Sequence, residues 1–381
     1  MHCPGWLAGA GLVLLSGAAH GVDPITENLG WSGDLRGGYY SLHRDDRDGS
    51  EDITDEFRAR IRLALEARLG PAWSAKARVA GRYSTYENDN HFQIFTSAPS
   101  TDGLRRGDST IDEFYVAYRP DERWQVKLGR LQTKFELAGV AKKSLDRNDS
   151  PNVDITWTDG LHVTRRGGSG WNTHVILQRN LSAGPTNVLR SPLDFSRDDS
   201  RIMAFVSLEN TEALGPVVQR AIDLSYLPEA LQRDGTATGR IEDYWGLVGR
   251  LAAQWPLGAG GTKFMLAGEA GYAPNTPTEA AMATGTGDDA GGLAGQITFN
   301  FIDIVPGHSF GLVYGQVEAG WLLSPDFRSN NSLIEGRYKW RIDSRRSIEA
   351  RLRQREDLDS ISGSLRDRTD RDLYVRYTHK L

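Results

Sequence analysis

Arginine stands at every second position through Arg58, Arg60 and Arg62, and the same beat places Lys76, Arg78 and Arg82 in the next stretch. It returns near the C-terminus in Arg337, Lys339 and Arg341, in Arg351, Arg353 and Arg355, and in Arg376. A guanidinium stays charged and offers five donors in a fixed fork, so these residues suit holding or guiding anions rather than exchanging protons. Groups suited to bond-making are harder to find. His162, His174 and His379 are scattered, with no serine and acidic partner evident beside them. No set of His, Glu or Asp has metal-ligand spacing, and no glycine-rich phosphate loop opens a helix. The reading is of a chain with no catalytic residue, no metal and no cofactor, and not of an enzyme.

Charges on alternate residues need a scaffold that turns alternate residues to opposite sides. Phe57 to Leu69 reads Phe-Arg-Ala-Arg-Ile-Arg-Leu-Ala-Leu-Glu-Ala-Arg-Leu, apolar at every odd position. That is a β-strand with one greasy and one cationic face. At about 3.3 Å per residue it is roughly 40 Å long, and tilted by about 45° it spans a hydrocarbon core of about 30 Å. An arginine turned to lipid at the midplane costs about 2–4 kcal/mol. The odd residues therefore face lipid and the arginines face the interior of a closed barrel. If the following turn pairs Arg68 with Ser74, then Glu66 meets Lys76, Arg62 meets Ala80 and Ala64 meets Arg78. Near the C-terminus, Glu335 and Glu349 fall opposite cations in the same way, and a surplus of positive charge remains.

Similar alternation recurs from Trp31–Leu42 to Leu373–Leu381, giving about 16 strands and no convincing helix. The expected fold is all-β, a transmembrane antiparallel β-barrel. Short connections with turn chemistry, such as Gly70-Pro71 and Pro306-Gly307, alternate with long ones at 44–53, 87–110, 132–157, 180–200, 227–240, 273–292, 323–331 and 356–369. Short periplasmic turns and long extracellular loops are the asymmetry of such barrels. The long loops carry acidic runs, Asp45 to Asp52 among them, which read as solvated surface and as a place for divalent cations to bridge to lipopolysaccharide.

Composition agrees with a barrel. Hydrophobic residues make up 39% of the 381, too few for membrane helices, whereas a barrel needs only every second residue apolar. Forty-two glycines suit a turn-rich chain. Residues 1–21 read as a secretory signal peptide, with an apolar stretch from Trp6 to Ala19 and small residues at Ala19 and Gly21. The remainder, 22–381, is one barrel domain. Cys3, the single cysteine, lies in the signal, so disulfide chemistry is not expected.

One connection stands apart. A strand ends in Val126-Lys127-Leu128-Gly129-Arg130-Leu131, residues 132–157 follow, and Asp159-Gly160-Leu161-His162-Val163 opens the next strand. With this pattern the chain resembles the 16-stranded general porins of Gram-negative outer membranes. The resemblance implies a multi-pass protein of the outer membrane, a water-filled channel for passive diffusion of small hydrophilic solutes, and a homotrimer. It also implies that 132–157 folds inward as a constriction loop, bringing Lys134, Glu136, Lys142, Lys143, Asp146, Arg147, Asp149 and Asp154 opposite the arginine wall. The family's Pro-Glu-Phe-Gly-like loop core is matched only loosely by Phe135-Glu136 and Ala138-Gly139. The last strand alternates to the final residue, as in chains read by the barrel-assembly machinery, but ends in Leu381 where Phe or Trp is usual.

Two electrical readings stay open: a net preference for anions, and a balanced field in which loop carboxylates oppose the arginines. Two other functions stay open as well, an alginate-export-like exporter of an acidic polysaccharide and an outer-membrane lipid hydrolase. Nucleic acid is not an expected partner, because these arginines alternate with membrane-facing residues. Membrane lipids, lipopolysaccharide and small solutes, anionic ones included, are the expected partners.

Overall fold

A computed structural model describes residues 23–85, 110–153, 155–181, 190–258 and 260–381. The expected signal at 1–21, most of the connection at 87–110, Asp154 and part of the connection at 180–200 lie outside the described residues. The chain forms sixteen long antiparallel strands, each paired to its sequence neighbour: β2 (Leu29–Asp45), β3 (Glu51–Arg68), β4 (Trp73–Ser84), β5 (Thr110–Tyr118), β6 (Trp124–Leu131), β7 (Thr158–Arg166), β8 (Trp171–Arg179), β9 (Ile202–Asn210), β10 (Val217–Gln232), β11 (Ile241–Pro256), β12 (Lys263–Tyr272), β13 (Leu293–Val305), β14 (His308–Val317), β15 (Asn331–Arg341), β16 (Arg346–Asp357) and β17 (Thr369–Lys380). β17 pairs with β2 from Thr369↔Asp45 to Lys380↔Asp34 and closes the barrel. A short β1 (Asp23–Thr26) folds back on the start of β2. The one described α-helix is the single turn α1 (Glu279–Met282).

Register follows the charge pattern. Arg68, Glu66, Ala64 and Arg62 pair with Ser74, Lys76, Arg78 and Ala80, as the sequence predicts. Glu335 lies opposite Arg353 and Glu349 opposite Lys339. On β3 the odd residues Phe57, Ile61, Leu63 and Leu65 are exposed on the outer wall, while Arg58 and Arg60 are buried. A one-residue slip would exchange the two faces, and the cost of arginine in lipid holds the register.

Several strands run past the segments read from alternation. β2 and β3 reach Asp45 and Glu51, so 44–53 is a hairpin turning at 46–50 instead of a long loop. β10 continues to Gln232. Beyond the lipid a strand keeps its ladder without an apolar face, and polar stretches such as Glu51 to Glu56 hide it. In the opposite sense, alternation in the sequence runs from Phe310 to Trp321, but the strand stops at Val317. Trp321, Leu322 and Leu323 instead turn into the lumen, where all three are fully buried.

Candidate functional site in the barrel lumen

Gly129 and Gly160 pair across β6 and β7 at the base of the 132–157 segment. Gly129 has φ of +129°, and a Cβ there would lie 2.3 Å from the Phe114 carbonyl oxygen. A Cβ on Gly160 would lie 2.0 Å from that of Leu177. Beside them, Arg130 donates to both carboxylate oxygens of Asp159 at 2.8 and 3.0 Å and lies over the Trp157 ring at 4.3 Å. The Leu-Gly-Arg and Asp-Gly pieces thus form one clamp that fixes where the segment leaves and rejoins the wall. Sequence alone did not reveal that they meet.

From this clamp the segment crosses the lumen. The Ala138 amide donates to Gln219 Oε1 on β10 at 2.8 Å, that of Val140 to Asn300 Oδ1 on β13 at 2.8 Å, and that of Leu145 to Glu269 Oε2 on β12 at 3.1 Å. Arg337 on β15 donates to the Ala141 carbonyl at 3.0 Å. Such backbone groups cannot be left bare in the interior, and inward side chains of the wall satisfy them. A second segment, 318–330, folds in beside it. Trp321 Nε1 donates to the Leu145 carbonyl at 3.2 Å, and Asp326 accepts from the Ser144 amide at 3.0 Å.

Together with 190–200, the two segments build an apolar cluster inside the barrel. It joins Phe135, Leu145, Phe195, Trp321, Leu323 and Phe327 to wall residues from β8 to β15, such as Met203, Phe205 and Tyr244. This side of the lumen is filled by close-packed side chains. The opposite side carries the charge.

There, β15, β16, β17, β2, β3, β4 and β5 are contiguous, and the inward cations predicted on them, Arg341 excepted, lie on one continuous wall. Arg58, Arg60, Arg78, Arg82, Arg337, Arg351, Arg353, Arg355 and Arg376 are buried, and Arg62, Lys76 and Lys339 are half-buried. Arg341 differs. It lies at the short-turn rim, exposed, with Asp303 at 3.3 Å.

The wall carries more carboxylates than the sequence reading allowed for. Asp34 accepts from Arg60 at 2.6 Å and Arg62 at 2.7 Å. Asp112 accepts twice from Arg78 at 2.8 Å. Glu56 pairs with Arg58, Asp372 with Arg351 and Arg353, Asp370 with Arg355, and Glu349 with Arg376. Lys76 reaches Glu66 at 3.0 Å and Glu113 at 3.2 Å. Tyr40 and Tyr374 pack together at 5.4 Å between the arginines, with Arg58 over one ring and Arg351 and Arg376 over the other. Cations still outnumber carboxylates along this wall, but by less than the ladder suggests.

The charged residues of 132–157 are dispersed. Lys143 is buried and reaches Glu335 on the wall at 2.8 Å, and burial pushes its ammonium down to about 8. Asp146 lies on the far side, 3.4 Å from Arg250 on β11, its carboxyl raised by burial and by the neighbouring Asp223. Arg147 is buried over Phe195 and donates to Asn180 at 2.5 Å. Lys142 is exposed, 3.7 Å from Glu136. Burial lowers the Lys134 ammonium and raises the Glu136 carboxyl.

Asp149 accepts from the Thr133 amide at 2.6 Å, and burial pushes its carboxyl up to about 7. Lys134 and Asp149 line a cavity of about 180 Å3 against β2, β3 and β17, together with Asp34, Arg36, Arg60, Arg62, Thr378 and Lys380. Neither Arg36 nor Thr378 stands out in the sequence, whereas Lys380 follows Arg376 on the same face of the last strand and extends its positive charge.

The histidines form no hydrolytic set among the described residues. His162 and His174 meet inside the barrel at 3.0 Å, with Thr164 bridging them and Phe135 against both rings. His379 stands beside Tyr377 on the outer wall, where Tyr377 is exposed.

This architecture is the 16-stranded porin fold. OprB of Pseudomonas putida superposes with a TM-score of 0.60 at 11% identity, covering 93% of this chain and 94% of that one. OccAB4 of Acinetobacter baumannii superposes at 0.54 and 12% identity, covering 93% and 99%. An anion-selective porin from Comamonas acidovorans superposes at 0.51 and 12% identity, covering 93% and 99%. No protein-family model and no curated protein matches the chain.

Proposed function

We propose that the chain is an outer-membrane porin, a multi-pass β-barrel that lets small hydrophilic solutes diffuse passively and favours anions. The supporting observation is the asymmetric lumen. Apolar segments pack one side from β8 to β15, which leaves the cation-rich wall from β15 to β5 as the lining of the path. A low-dielectric barrel focuses the field of that surplus charge on a permeating ion, and rings of Arg or Lys are a known basis of anion selectivity in pores. Residues 132–157 serve as the constriction, held by the Arg130–Asp159 clamp at their base and by wall hydrogen bonds along their length. Residues 1–21 serve as the signal peptide, and lipopolysaccharide surrounds the acidic extracellular rim. The alternating last strand is the recognition element for the barrel-assembly machinery, and three copies form the working unit.

The inserted segments that fill one side of the lumen do not favour polysaccharide export, and His162 and His174, bonded to each other and to threonine, do not favour lipid hydrolysis. The test is swelling of proteoliposomes in isosmotic solutes. Swelling in arabinose, and faster swelling with a small organic anion than with a cation of equal size, is expected. Liposomes that stay impermeable while lipid is hydrolysed would overturn the proposal.

A further inference from the structure

The long-loop end of the β2–β3 hairpin carries three side chains that an ion path does not use. His43 and Asp45 stand two apart on β2, and the ladder sets Glu51 opposite Asp45 and the exposed Ile53 opposite His43. All three share the parity of the outward residues Leu35 and Ile53, so they project from the outer wall and away from the lumen. One ligand-type atom from each lies within 4.8 Å of the other two. His43 Nε2 is 3.6 Å from Asp45 Oδ1 and has no hydrogen-bond partner. Ligands around a tetrahedral zinc, at bonds of about 2.0–2.2 Å, stand roughly 3.4 Å apart. His43 and Asp45 already have nearly that spacing, and Glu51, exposed on its strand, closes the rest by a side-chain rotation.

Two arginines compete for Asp45, both at long range. Arg371, opposite His43 on β17, reaches Asp45 Oδ2 at 3.4 Å, and Arg366 lies 3.9 Å from Oδ1. A tight charge-assisted bond is about 2.7–2.9 Å, so neither arginine grips the oxygen that faces the histidine. Imidazole nitrogen suits zinc and its first-row neighbours, whereas Mg2+ and Ca2+ take oxygen ligands. The histidine therefore sets this group apart from an acidic surface that bridges such ions to lipid. No metal-ligand spacing marks it in the sequence, because Glu51 joins the other two only through the hairpin register.

We propose that His43, Asp45 and Glu51 form a binding site for a zinc-like divalent cation, with a fourth position left to water. The site lies on the outer wall, off the conduction path, and stands independently of the porin reading.

The test is calorimetric titration of Zn2+ into the untagged, chelator-washed barrel in detergent, with Cu2+ electron paramagnetic resonance on the same preparation. The expected result is a single tight site per chain and a Cu2+ signal coupled to one imidazole nitrogen. Zinc should stay bound against an about hundredfold excess of Ca2+, which lacks affinity for that nitrogen. Loss of a partner behind a metal ligand already costs about 10–100-fold, so His43→Ala, which removes a ligand, should weaken zinc by more than about tenfold. Arg371→Gln removes a competing positive charge some 6 Å away and should tighten zinc about threefold. Heat-resistant migration on gels shows that each rim variant has folded. A Cu2+ spectrum without nitrogen coupling, equal competition by Ca2+, or a folded His43→Ala that binds like the parent would overturn the site. Loss of binding in His162→Ala with none in His43→Ala would place the ion inside the barrel and overturn it as well.

Discussion

Asp34 holds two arginines of the wall at once, Arg60 at 2.6 Å and Arg62 at 2.7 Å, and it lines the cavity. Asp34→Asn changes little in shape and removes one negative charge. Removing one partner of a buried ion pair costs about 3–5 kcal/mol, and the amide oxygen still accepts one hydrogen bond, so a loss near 3 kcal/mol is expected. Selectivity moves the other way. At about 6 Å from a permeating anion, a unit charge contributes about 0.7 kcal/mol in water and about 3 kcal/mol at an effective dielectric of 20. At about 1.4 kcal/mol per tenfold, the anion-to-cation permeability ratio should rise between about threefold and a hundredfold. The assay is the reversal potential across a bilayer with a tenfold salt gradient, read beside the denaturant midpoint of the same preparation. A ratio unchanged or lowered in a folded variant would refute the reasoning, because Asp34 would then not sit on the ion path.

Leu63 is on the lipid face of β3, and Leu63→Arg should cost about 2–4 kcal/mol and lower the yield of heat-resistant barrel on gels; an unaffected yield would mean that this face does not meet lipid. Trp321 ties two inserted segments together through Leu145, so Trp321→Ala should lose about 3–5 kcal/mol and raise single-channel conductance as the apolar side of the lumen loosens. Burial shifts both Asp149 and Lys143 toward their neutral forms, the carboxyl up to about 7 and the ammonium down to about 8. Raising pH from 6 to 8.5 therefore adds a negative charge at Asp149 and removes a positive one at Lys143, and anion preference should fall over that window. The fall should be about halved by Asp149→Asn, as read from reversal potentials; an equal slope in the variant would remove Asp149 from the explanation. Arg130→Ala breaks the clamp on Asp159 and leaves a carboxylate without its partner, so current noise from the constriction should rise.

The barrel was legible because lipid acts as a strict filter on every second residue. The pairing of Glu66 with Lys76 followed from that filter and one tight turn, with no knowledge of the rest of the chain. Where the filter is absent, the sequence said less. The upper ends of β2 and β3 lie beyond the alternation, so their polar residues looked like loop. Trp321 is apolar enough to pass for the end of a strand, and nothing local tells a lumen-filling segment from a lipid-facing one. Asp34, Asp112, Asp370 and Asp372 stand on wall strands as isolated acids, and the pairing of each strand with its sequence neighbour brings them to the arginines they neutralise. Among the site residues, the wall positions, Lys380 among them, were readable from parity, whereas the places of Lys143, Asp146 and Asp149 depend on how 132–157 crosses the lumen.

The central claim is an open path along a net cationic wall. Reversal potential of single channels in asymmetric potassium chloride tests it directly. The account predicts discrete conductance steps with a reversal potential displaced toward that of chloride, and a smaller displacement when Arg62, Lys134 and Lys380 are made neutral. A reversal potential displaced toward that of potassium, or no conductance from correctly folded barrels, would contradict it.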